Sequence, residues 1–196
     1  MRADAKKNYE QLLAVARDVF AEQGANASLR DVARRADVGL GTLYRHFPTR
    51  EVLLETILRA SFNTLAEKAQ ALEASQAPDE ALLSWLQETT AFTHEHRGVI
   101  ALMMGAIENP DSALHASCVT LRAAGAALLA RAQDEGMARP DLNGDELFDL
   151  IAALAWLREQ PTHALRADRL FDVIASAILV DHGRIPESNG RSGNPR

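Results

Sequence analysis

The sequence predicts an all-α protein in two parts, and three observations carry that reading. In segment after segment, apolar residues recur at spacings of three and four, the period of one helix face rather than of a strand. Between Ser28 and Arg50 two short helical patterns are separated by a break too tight for anything but a turn. Beyond residue 60 the patterns become longer and richer in Ala and Leu, and Pro, Gly and Asn punctuate them. Residues 1–59 are expected to form a three-helix unit, residues 60–183 a helical body, and residues 184–196 a polar, Gly- and Pro-rich, disordered tail.

A polar lead carrying Arg2, Lys6 and Lys7 is expected to stay mobile up to Asn8 or Tyr9. From Tyr9 to Gln23, Leu12, Leu13, Ala16, Val19 and Phe20 share one face, and Gly24 is placed to end the helix. Leu29, Val32, Ala33 and Ala36 define the second helix. Ser28 is its cap, and Asp31 adds negative charge at the positive helix end.

After the break, Val38, Leu43 and Phe47 supply an apolar side, while Thr42, Tyr44, Arg45 and His46 crowd the rest of barely three turns. As core this crowding is costly, since each polar group would need a buried partner. As a DNA-reading surface it is coherent. A short helix fits the major groove, where an Arg pairs with guanine O6 and N7, while Thr, Tyr and His donate to phosphates. Gly39 and Gly41 bring the helix backbone close to DNA and leave free N–H groups at a positive helix end. Pro48 breaks this helix and Thr49 caps the next.

The phrase GTLYRHFPTRE after an Ala-rich helix, preceded by FAEQG, resembles the DNA-binding domain of the TetR family of repressors over about Asn8 to Arg59. The resemblance implies a three-helix reader, a dimer, and a helical ligand domain behind the reader. It also implies that Arg30, Leu40, Gly41, Thr42, Tyr44, Arg45, His46 and Arg50 form the DNA-binding set. Arg45 is the base reader, Arg30 matches a position that contacts bases in some members, and Thr42, Tyr44, His46 and Arg50 are phosphate contacts. Two positions depart from the usual pattern: Asp37 stands where the turn has Gly, and Gly39 where a capping Ser is usual. Asp tolerates a left-handed conformation less well than Gly, and Gly caps acceptably, so the departures bear on affinity.

The fourth helix continues through Leu53, Leu54, Ile57, Leu58, Phe62 and Leu65, long enough to join reader and body. ASQAPD, residues 74–79, ends it, and Pro78 suits the start of the next helix. That helix carries Leu82, Leu83, Trp85, Leu86 and Phe92. GVIALMMGAI, residues 98–107, is apolar all round and is expected to be a buried helix. A long helix over residues 112–134 ends at Gly136. The last two, near 145–159 and 167–180, carry apolar residues on more than one face, which one subunit's core does not require. In the family the last two helices pair with their symmetry mates, so Phe148, Ile151, Leu154, Phe171, Ile174 and Ile178 are the dimer-interface candidates. The alternative is an ordinary buried helix pair. The stretch LLARAQDEGMARPDLNGDELFDLI also resembles an SbtR-like subset of the family.

Composition bounds the rest. The 196 residues are 47% hydrophobic, enough for a core without staples. No run of 18 apolar residues occurs and MRADAKKNYEQ lacks the apolar region of a secretory signal, so no membrane partner and a cytoplasmic location are expected. The lone Cys118 agrees with a reducing compartment. The net charge of −6 divides into ten Lys/Arg against eight Asp/Glu in residues 1–60 and eleven against nineteen beyond, a mildly basic reader on an acidic body.

Trp85, Phe92, His96, Met103, Met104, His115 and Cys118 are the ligand-pocket candidates, being adaptable or polar-tipped residues on helices that would surround a cavity; they equally describe a core. His94 and His96 lie two apart, about 200° around a helix, and no metal-ligand spacing accompanies them. Neither a cofactor nor a catalytic motif is indicated: Gly-rich phosphate loops, Gly-x-Ser-x-Gly and Cys-x-x-Cys are missing from the sequence. The expected protein is a homodimeric transcriptional repressor that binds a palindromic operator in double-stranded DNA and is released by a small-molecule effector. The rivals are a ligand-independent regulator with a solid body, and a helical binding protein or enzyme that has lost DNA binding.

Overall fold

The computed structural model describes residues 2–160, 162–163 and 166–180, with side chains from Asn8 onward, Ala25 excepted. The expected tail and the charges of Arg2, Lys6 and Lys7 therefore lie outside the described residues. Ten α-helices account for the described fold: α1 (Arg2–Gln23), α2 (Leu29–Arg35), α3 (Leu40–His46), α4 (Arg50–Ser75), α5 (Pro78–Glu95), α6 (Arg97–Leu102), α7 (Met104–Glu108), α8 (Ala113–Asp134), α9 (Gly144–Glu159) and α10 (Ala167–Ile178). The one extended pairing among these residues is an antiparallel bridge between Ala138 and Leu179, where Arg139 N–H donates to the Ile178 carbonyl and Val180 N–H to that of Met137.

Helix boundaries follow the capping chemistry. Ser28 Oγ accepts the Asp31 N–H at 3.2 Å, Thr49 Oγ1 that of Val52 at 3.3 Å, and Ser112 Oγ that of Leu114 at 3.0 Å. Asn143 and Glu146 close a reciprocal capping box at the start of α9. Gly136 ends α8 at φ +74°, with Met137 N–H returning to the Ala132 carbonyl at 2.7 Å.

The structure corrects two expectations about elements. Helix α1 begins at Arg2, so the polar lead is helical rather than a mobile arm. The apolar stretch 98–107 is neither one helix nor buried. It turns at Met103 into α6 and α7, and Leu102 and Met104 are exposed while Val99 and Met103 point inward. Each fragment has less than two turns, too few to present more than one or two side chains to a core.

Leu12, Ala16, Val19 and Phe20 of α1 meet Val32 and Ala33 of α2, Leu43 of α3 and Leu53 of α4 in the core of the reader. Helix α4 then runs into the body and lies along α8, with α5 and α9 completing the layer. Helix α8 is long and apolar enough by composition to cross a membrane, yet Leu114, Leu121, Leu128 and Leu129 pack it into the body and it carries Arg122 and Arg131. Trp85 sits at the centre: its indole N–H donates to the Leu65 carbonyl at 3.0 Å and its ring meets Phe148 edge-on. Gly125 of α8 makes room for it, since a Cβ there would lie 2.3 Å from Trp85 Cη2.

Candidate nucleic-acid interface and effector sites

The turn between α2 and α3 is fixed by backbone geometry. Asp37 adopts φ +54°, which lets Val38 N–H reach the Ala33 carbonyl at 3.0 Å and Asp37 N–H that of Arg34 at 3.3 Å. This double closure demands a left-handed residue, a role Gly fills without the Cβ clash that Asp bears. Gln11 of α1 donates to the Ala36 carbonyl at 3.2 Å and so ties the turn to the scaffold. No sequence pattern marks Gln11, because its role exists only once α1 and α2 cross.

Helix α3 is anchored by Leu43 and Phe47, both buried, with Val38 and Leu40 packed alongside. Its opposite side presents Gly41, Tyr44 and Arg45 to solvent. Arg45 is held in a defined direction by a 2.9 Å bond from its guanidinium to Thr42 Oγ1. Gly39 caps the helix through its backbone without a side-chain bond. A Cβ at Gly41 would find no atom within 4 Å, so the protein itself does not require glycine there. Arg30 is exposed on α2.

Two of the proposed contacts are placed differently from the rest. His46 is half-buried, edge-on to Tyr9 at 5.7 Å, so its ring also serves the scaffold. Arg50 lays its guanidinium over the Phe20 ring at 5.3 Å and faces Leu54, Leu102 and Met103 where the reader meets α6. Beside the reader, Asp31 accepts from Gln23 and pairs with Arg34 and Arg35, while Arg35 also pairs with Glu22 at 2.7 Å. The Arg34 and Gln23 hydrogen bonds hold the Asp31 carboxyl below its ordinary range.

The seven pocket candidates do not converge. Trp85 is core. His115 bonds the Ile107 carbonyl through Nδ1 at 2.7 Å, Met104 faces outward, and burial pushes the Cys118 thiol up, away from a reactive thiolate. Phe92 and His96 alone among them line a cleft of about 440 Å³ where α1, α4 and α5 meet, together with Arg17, Asp18, Glu88 and Glu95. Their rings stack at 4.4 Å. Burial lowers the His96 pKa below its usual value, partly offset by its bond to the Phe92 carbonyl and by Glu95. The signal sequence reasoning lacked is the register of α1 against α5, which joins the walls of this cleft.

Most of the dimer candidates face inward. Ile151, Leu154, Phe171 and Ile178 are buried within the protomer, and Phe148 and Ile174 are half-buried, with Arg122 over the Phe148 ring at 5.1 Å. The second apolar stripe is made by other residues: Ala152, Ala153 and Trp156 on α9, and Val173 and Ala177 on α10. Trp156 is 57% and Val173 56% exposed. Helical periodicity shows two faces but does not say which is inside, and within the protomer the larger side chains take the inner one.

Comparison with known proteins agrees with this arrangement. Residues 12–57 match the family "Bacterial regulatory proteins, tetR family", and residues 77–178 match "Transcriptional regulator SbtR-like, C-terminal domain". The chain is 28% identical over 153 residues to the HTH-type transcriptional regulator UidR of Escherichia coli, covering 73% of this chain and 75% of that protein. It is 27% identical over 191 residues to the HTH-type transcriptional repressor KstR2 of Mycolicibacterium smegmatis, covering 92% of each. Among solved structures, a TetR transcriptional regulator from Streptomyces coelicolor superposes with a TM-score of 0.72 at 30% identity, over 88% of this chain and 98% of that one. A TetR regulator from Mycobacterium vanbaalenii gives 0.70 at 28% identity, over 91% and 99%.

Proposed function

The chain belongs to the TetR family of DNA-binding transcriptional regulators, and from that premise we propose that it is a homodimeric cytoplasmic repressor whose hold on a palindromic operator is released by a small molecule. The observation that carries the reading is the outer side of α3, where Arg45 is oriented by Thr42 and Gly41 leaves open space above the helix backbone. Arg45 reads a guanine edge, a contact worth about 1–3 kcal/mol of discrimination. Tyr44, Thr42 and the N-terminal turn of α3 at Leu40 and Gly41 meet the phosphates, with Arg30 reaching bases from α2. Arg50 and His46 act from the edge of this surface, each sharing its side chain with the reader's packing. Residues 1–59 are the reader, with α4 leading into the ligand-binding and dimerisation body of residues 60–183.

Dimerisation falls to the outward stripe of α9 and α10 centred on Trp156 and Val173, since an apolar face of this kind on both helices suits isologous pairing. Two readers related by a two-fold axis then meet two half-sites, and an effector acts by favouring one spacing of the readers over another.

Selection of DNA from a random pool by the purified protein, at two salt concentrations, tests this reading. A palindrome is expected, lost with Arg45→Ala, while Arg50→Ala weakens all sequences alike and flattens the salt slope. No enriched site at low salt would refute it.

A further inference from the structure

Trp85 lies buried in the body, and its indole fills the space opposite Gly125. A cleft of about 440 Å³ opens at the seam of the two parts. One wall of the cleft is α1, part of the reader, and the others are α4 and α5 of the body. An occupant would touch both units at once.

The walls carry more carboxylates than cations. The aromatic part of the lining is Phe92, whose ring stacks on that of His96 with an interplanar angle of 22°, and Phe62 is edge-on to Phe92 at 6.0 Å. His96 Nδ1 lies 3.1 Å from the Phe92 carbonyl, so in the neutral ring it donates there and leaves Nε2 as an acceptor. The same lining holds the carboxylates of Asp18, Glu88 and Glu95 against one guanidinium, Arg17. Glu88 is engaged by Lys68, but Asp18 and Glu95 form no ion pair among the described residues. Aromatic side chains beside carboxylates favour a ring that carries positive charge, through aromatic contact, cation–π attraction and Coulomb attraction together.

We infer that the cleft between α1, α4 and α5 is an effector site for flat aromatic cations, held by the Phe92–His96 pair and by the carboxylates of Glu95 and Asp18. The inference rests on the effector-released repressor proposed above. Because α1 and α5 belong to different units, a ligand bound here has different contacts for each reader position, which is what shifting the DNA-binding equilibrium requires.

Titration calorimetry on the full chain tests it, with 1-methylquinolinium as the cationic probe and quinoline at pH 8 as its uncharged counterpart. The cation is expected to bind saturably, one per protomer, about tenfold more tightly than quinoline. Glu95→Gln, at an exposed position, should abolish that preference, and Phe92→Ala should weaken both compounds. Equal affinity for the two probes, no saturable binding, or a charge preference untouched by Glu95→Gln would overturn the assignment. The repressor reading fails separately: an operator complex released by some other class of compound, with no 1-methylquinolinium binding, sinks the cleft alone, whereas an absence of any enriched DNA site sinks the repressor.

Discussion

Replacing Gly41 with alanine separates the needs of the protein from those of its DNA. Gly41 lies in the first turn of α3 with ordinary helical backbone, since the left-handed glycines are Gly24 and Gly136. An added Cβ would have no neighbour within 4 Å. Within the protein the methyl is therefore harmless, and alanine in place of a helical glycine is worth about 0.5–1 kcal/mol of stability. In the proposed DNA complex the same methyl would stand where the helix backbone approaches the phosphates. Forcing an extra methyl into a close-packed contact costs about 1–3 kcal/mol, or roughly a five- to 150-fold loss of operator affinity. Urea unfolding and fluorescence anisotropy on the selected operator measure the two effects independently. The expected result is a more stable protein that binds DNA worse. A Gly41→Ala protein binding its operator within about twofold of the original would show that the first turn of α3 does not press on the duplex, and a less stable one would show that the space is not open.

Four further perturbations probe the body and the turn. Gly125→Ala should cost about 1–3 kcal/mol by driving a methyl into Trp85, and Trp85→Phe, which removes the clashing ring atoms, should make that second change cheaper; strictly additive losses in urea unfolding would refute the contact. Trp156→Asp should leave folding intact and yield monomers in sedimentation velocity, whereas Ile151→Ala, on the inner face, should cost about 2–5 kcal/mol of stability and leave the dimer contact in place; the reverse pattern would invert the assignment of faces. Asp37→Gly should raise stability by up to about 1 kcal/mol by relieving the left-handed strain, read as a shift of the urea midpoint.

The fourth concerns pH. Burial lowers the His96 pKa, so the unfolded chain takes up a proton first as pH falls, and the neutral ring's contribution, full above the ordinary value of 6.5, is lost below it. The melting temperature should therefore fall between pH 7 and 5.5 by more in the original protein than in His96→Gln. Equal slopes would mean that neighbouring Glu95 and Arg17 set the balance instead.

Local chemistry made much of this molecule legible before any coordinates. Ser28 and Thr49 cap their helices and Gly136 ends α8 through bonds within five residues, and the stretch from Leu40 to Phe47 was legible as a surface helix because so many polar groups on so short a helix have no place in a core. Positions whose meaning depends on what crosses them were not legible. Gln11 and Arg50 take their roles from α2 and Phe20, the 98–107 stretch from a turn at Met103, and the cleft at Phe92 and His96 from the meeting of α1 with α5. The inner and outer faces of α9 and α10 show why. A helix with two apolar stripes has a period of 3.6 on each, and which stripe is buried, for α9 against α5 and α8 and for α10 against α9, is a property of the packed layer, set by which stripe's shapes fit there. Sequence determined most of the helices and the polar character of α3; tertiary packing decided how the 98–107 stretch breaks and which surfaces remained free to meet a partner, a ligand or DNA.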